Sequence, residues 1–154
     1  MSHAVFWILQ DMLAVLTADA LQVSEIFLLS LTYSLLTKDR SAGVGVIWAA
    51  FAGGLLWDLR WIGIPGFFTL SYVGVVLLVI WVWNALPLSG RTSSVVFFLF
   101  WTAQLLPSVL FLLVPGRGLG GAGWTLFAAR QMFAVPLSLL GVFFCERHKK
   151  NQNN

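Results

Sequence analysis

One hundred and fifty-four residues suit a single domain, but 59% hydrophobic and only 10% charged residues exclude an ordinary soluble one, since globular chains carry roughly 25% charge. Disorder is excluded as well, because disordered chains are poor in aromatics and this chain has 13 Phe and 8 Trp. The formal net charge of +3 comes from nine Lys and Arg scattered between apolar runs. That spread suits orientation signals in a membrane and argues against a nucleic-acid partner.

A spanning helix takes about 20 apolar residues, and six apolar stretches follow one another. The first runs from about Ala4 to Thr17. Its Phe6–Leu16 core and the following Ala18-Asp19-Ala20 have the outline of a signal peptide. No Lys or Arg precedes it, however, and Gln10 and Asp11 interrupt it, so it reads as an uncleaved first helix. The second run, about Leu21 to Thr37, is ended by Lys38-Asp39-Arg40, and the third covers about Ala42 to Leu59. Pro65 opens the fourth, about Gly66 to Leu86. The fifth, about Thr92 to Val114, contains Pro107, which should kink it without ending it. A Gly-rich loop at 116–121 leads into the sixth, about Gly123 to Phe144.

Each run is continuously apolar with no alternation, which favours helices over a β-barrel. The expected fold is an all-α integral membrane protein with six transmembrane helices over 1–145. Residues 146–154 then form a basic polar cytoplasmic tail. With the N-terminus inside, Lys38, Arg40, Arg91, Arg147, Lys149 and Lys150 fall on the cytoplasmic side, against Arg60 and Arg117 outside. The positive-inside rule therefore gives N-in and C-in.

Motifs of soluble enzymes are missing. The Gly-rich loop has no Lys-Ser or Lys-Thr after it and reads as a hinge between two spans. His3 and His148 stand near the two ends of the sequence and read as solvated residues, from which no metal centre or triad can be assembled. The lone Cys145 reads as an inert thiol at the membrane edge. No catalytic, cofactor-binding or metal-binding residues are assigned, and the chain is expected not to be an enzyme.

What remains are ionisable residues at membrane depth: Asp11, Glu25, Asp58 and Arg130. Such residues usually face the bundle interior or a partner. The last three gather in the outer half, either as a ligand or partner site or as a buried ion pair that fixes packing. Asp58 is expected to pair with Arg130, with Glu25 as the alternative acid. Arg130, Ala134, Ser138 and Gly141 share one helical stripe. Gly45, Ala49 and Gly53 form a small-xxx-small row that permits close helix contact. Trp57, Trp61, Trp81, Trp83 and Trp124 lie near predicted span ends, where indoles favour the interface.

The stretch Gly53-Gly54-Leu55-Leu56-Trp57-Asp58-Leu59, then Gly63-Ile64-Pro65-Gly66 with Leu70 and Tyr72 beyond it, resembles the signature of the MreD family. In that family a G-x-L-x-D-like span end leads through a G-x-P-x-G-like turn into the next span. The resemblance implies a fold similar to the substrate-binding subunits of energy-coupling-factor transporters. It also implies a non-enzymatic subunit of the bacterial rod-shape, or elongation, complex in the cytoplasmic membrane, scaffolding or regulating peptidoglycan synthesis. The implied partners are MreC, the MreB filament, RodA and a class B penicillin-binding protein. The alternative is a vitamin-transporter substrate-binding subunit, for which Ala14-x-x-x-Ala18 would be an energiser-docking motif and Glu25, Asp58 and Arg130 a ligand site.

Overall fold

The computed structural model describes residues 3–16, 25–37, 42–60, 65–112 and 121–152. They form α1 (His3–Leu16), α2 (Ile26–Thr37), α3 (Ala42–Arg60), α4 (Phe67–Ala85), a 3₁₀ turn (Leu88–Gly90), α5 (Ser93–Leu112) and α6 (Gly121–Gln152). No strand occurs among the described residues. Three of the helices, α4, α5 and α6, contain stretches long and apolar enough to cross a membrane. At 1.5 Å per residue the 14 residues of α1 and 12 of α2 reach only about 21 and 18 Å, short of a hydrocarbon core of about 30 Å.

Local sequence sets the boundaries. Gly66 adopts the left-handed conformation at φ 82°, which a residue with a Cβ rarely takes, and its carbonyl accepts the Leu70 amide to open α4. At the other end the Leu86 amide closes on the Val82 carbonyl, and Pro87 follows. Both Pro107 in α5 and Pro136 in α6 lie inside continuous helix. Residues 146–152, expected as a polar tail, continue α6 instead. They contain no Gly or Pro, and Glu, Arg, Lys and Gln are good helix formers.

α2 is the hub of the bundle, packing against each of the other five helices. Phe27, Leu28, Leu31 and Leu36 are buried on several sides of it, as suits a short helix apolar all round. The most extensive pairing joins α3 to α4. A Cβ on Gly54 would lie 2.5 Å from Thr69 Cα and 2.7 Å from Thr69 N, so the two backbones touch there. One on Gly53 would meet the Phe27 ring, while beside Gly45 there is open space. The row of small residues thus turns from the bundle at Gly53, through half-buried Ala49, to the outside at Gly45.

A mainly apolar core encloses several polar side chains, while large apolar ones face outward. Gln10, Asp11, Glu25, Thr32, Ser71, Gln104, Ser108 and Ser138 are buried, whereas Leu70, Trp81 and Met132 are more than 70% exposed. Large apolar side chains on the outside, with the ionisable groups turned inward, are what hydrocarbon solvent selects. Two expectations change. Trp57 is not at the surface but is buried edge-on to Trp7 and against Phe68. His3 is half-buried, with its ring nitrogens 3.3 Å from the Ser30 and Ser34 hydroxyls of α2. Trp61 and Ala18 lie outside the described residues.

Candidate functional site

The densest polar cluster surrounds the start of α2. Glu25 stands just before the helix, and its carbonyl accepts the first helical bond, from Leu29 at 3.0 Å. The neighbouring helices reach well past this point. Tyr72 is five residues into α4, and Arg130 nine residues into α6. The start of α2 therefore lies roughly 8–14 Å below that end of the bundle. Amides at a helix start have no partner within the helix, so those buried here need one from another element.

Two glutamines supply it. Gln104 of α5 accepts the Glu25 amide at 2.8 Å and donates to the Glu25 carbonyl at 2.8 Å, clasping the backbone of this one residue on both its polar groups. Gln10 of α1 accepts the Phe27 amide at 2.8 Å with its Oε1. Its Nε2 donates to Glu25 Oε2 at 2.7 Å and to the Tyr72 hydroxyl at 3.2 Å. The Tyr72 hydroxyl in turn donates to Glu25 Oε2 at 2.6 Å. Arg130 approaches the other oxygen, its Nη2 3.5 Å from Glu25 Oε1, with the two side chains 13% and 4% exposed. The carboxylate thus takes two donors on Oε2 and the guanidinium beside Oε1. α1, α4, α5 and α6 thus meet at the residue that precedes α2, three of them on its carboxylate.

Asp58 has a different task. Its Oδ1 accepts the Phe68 amide at 2.9 Å, and its Oδ2 accepts the Thr69 amide at 3.1 Å and the Thr69 hydroxyl at 2.6 Å. It is therefore the cap of α4, supplied from the end of α3. The expected Asp58–Arg130 pair is corrected on this point: Arg130 faces Glu25, and Asp58 satisfies backbone that would otherwise be unpaired beyond the turn at Pro65 and Gly66. Asp11 pairs with Arg60, Nε to Oδ1 at 3.0 Å, tying α1 to the end of α3.

The inward stripe on α6 forms as expected. Ala134 and Ser138 are buried, and a Cβ on Gly141 would come 3.0 Å from the Phe100 ring of α5. Sequence reasoning passed over Gln10, Tyr72 and Gln104 as site residues because it searched for charge. Amides and a phenol inside apolar runs were the available signal. Cys145 is a free, buried thiol. Among the described residues no group of three or more His, Cys, Asp or Glu is placed to hold a metal ion. No family model, curated protein or solved structure matches the chain.

Proposed function

We propose that this chain is a non-enzymatic, multi-pass subunit of the bacterial cytoplasmic membrane that acts by packing against other membrane proteins, in the manner of MreD. In this reading it scaffolds or regulates peptidoglycan synthesis in the rod-shape complex through MreC, with MreB, RodA and a class B penicillin-binding protein as further partners. In this reading the chain makes six passes through the membrane, with both termini inside. The architecture is that of energy-coupling-factor substrate-binding subunits, and no cofactor or catalytic residue takes part.

One observation carries the reading: the residues of the family-like signature work together as one structural unit. Gly54 brings α3 onto α4, Asp58 caps α4, Gly66 makes the left-handed turn, and Tyr72 reaches Glu25. Gly54, Asp58, Gly66 and Tyr72 thus each have a physical reason to be there. The interior acid is enclosed by Gln10, Tyr72 and Arg130, which favours a packing role over a ligand site.

The test is affinity capture of the tagged chain from its native membranes, followed by mass spectrometry. MreC and a penicillin-binding protein should co-purify, and depletion should turn rods into spheres. A pair of ATPases with a tightly held vitamin would overturn the proposal in favour of a transporter subunit.

A further inference from the structure

α6 outruns the bundle at its C-terminal end. The Ser93 hydroxyl at the start of α5 donates to the Glu146 carboxylate, which places residue 146 of α6 level with the beginning of α5. Helix continues to Gln152, six residues or about 9 Å further. The same end carries the features of a membrane interface. Arg91 donates to the Trp83 carbonyl at 3.1 Å and lies 4.5 Å from the Trp83 ring centroid, while Trp81 is 72% exposed. Residues 147–152 therefore extend into the headgroup layer as ordered helix.

α6 packs mainly on α5 and α2, and its opposite side is left uncovered by the described residues. On that side Leu139, Leu140, Phe143 and Phe144 are each 52–56% exposed. Spacings of three and four residues carry the same stripe on to Arg147 and Lys150, both exposed. The stripe thus changes from apolar to cationic in one turn, at the depth that Ser93 and Glu146 define. Glu146 stands at its edge with the carboxylate engaged by Ser93. Lys149 is 200° further round from Arg147 at 100° per residue, on the side of buried Cys145.

We infer that this stripe binds one anionic phospholipid. Its acyl chains lie along Leu139, Leu140, Phe143 and Phe144, and its phosphodiester sits between Arg147 and Lys150. The chemistry selects this occupant: two cations one turn apart suit a single phosphate, and only a lipid brings the phosphate already joined to hydrocarbon. The long Lys and Arg stems rest on the apolar zone while their heads reach the phosphate. Lys149, equally close in sequence, does not face it.

Native mass spectrometry of the full-length protein, titrated with phosphatidylglycerol or phosphatidylcholine in micelles, tests the assignment. The protein should retain one phosphatidylglycerol in preference to phosphatidylcholine. Arg147→Gln with Lys150→Gln should weaken that retention about thirtyfold, at roughly 1 kcal/mol per basic residue, whereas Lys149→Gln should leave it unchanged. The substituted side chains are exposed, so unchanged thermal melts should accompany the loss. Charge-preserving Arg147→Lys should retain most of the binding that Arg147→Gln loses. Equal losses from Lys149→Gln and Arg147→Gln, equal retention of the two lipids, or displacement by inorganic phosphate would each overturn the inference.

Discussion

Truncating Arg130 to Ala leaves the Glu25 carboxylate buried without its counter-charge, and the structure sets the size of the effect. The guanidinium nitrogen lies 3.5 Å from Glu25 Oε1. Two unit charges at that distance attract by about 5 kcal/mol at an effective dielectric near 20. Glu25 keeps two donors on Oε2, from Gln10 and Tyr72. The loss should therefore fall near the lower end of the roughly 3–5 kcal/mol seen when one member of a buried pair is removed. Glu25→Ala should cost a similar amount by removing the acid beside the guanidinium, whose side chain is only 13% exposed. The double variant should be no worse than the poorer single, giving a coupling energy of about 2–3 kcal/mol. Reversible denaturation in mixed micelles, followed by circular dichroism, measures all four corners of the cycle. Asp58→Ala with Arg130→Ala is the control and should be additive to within about 0.5 kcal/mol. Additivity between positions 25 and 130, or strong coupling between 58 and 130, would refute the pairing.

Glycine substitutions in the bundle should rank by what a Cβ meets. Gly54→Ala, which drives an atom into the Thr69 backbone, should cost on the order of 1–3 kcal/mol or more, while Gly45→Ala and Gly74→Ala, with open space around them, should be neutral or gain up to about 1 kcal/mol from helix propensity. Equal thermal stability of the Gly54 and Gly45 variants would sink the close-contact argument. Asp58→Ala should cost about 2 kcal/mol as a lost cap, with Asp58→Asn retaining part of it, and a melting curve for each variant checks the order. For topology, a reporter fused after Asn154 should read cytoplasmic and a cysteine at Gly118 should react with impermeant reagents from outside; labelling at 118 only from within would reverse the orientation.

Much of the helical layout was legible in the sequence because hydrocarbon imposes long apolar runs and leaves few alternatives. The starts and ends of α3, α4 and α5 fall within two residues of the composition breaks. α2 was harder to place. Its described helix begins at Ile26, since Glu25 is clasped by Gln104; residues 21–24, expected to be helical, lie outside the described part. The site was only partly readable. Arg130 and Glu25 declared themselves as charges at depth, but pairing depends on which faces the helices turn to one another. A depth estimate along the axis could not distinguish Asp58 from Glu25, because both lie toward the same end. Gln10 and Gln104 carry no charge and break hydropathy only slightly, yet they hold the helix start together. His3 is the simpler case: position near a chain end does not fix exposure, and α2 offers two hydroxyls beside it.

These polar residues belong together for a reason that precedes any function. A helix that begins 8–14 Å inside a bundle presents unpaired amides and the positive end of its dipole to a medium without water. Glutamine amides can accept from that backbone and still donate onward, as Gln10 does to Glu25 and Tyr72. The Glu25 carboxylate answers the dipole, and Arg130 answers the carboxylate. Hydroxyls elsewhere in the interior close on their own helices, Ser108 onto the Gln104 carbonyl at 2.9 Å and Ser138 onto Ala134 at 2.7 Å. Once these groups are committed to holding the bundle, recognition by the described helices falls to their apolar flanks and charged ends. That division fits a subunit whose work is assembly with proteins and lipids of the same membrane.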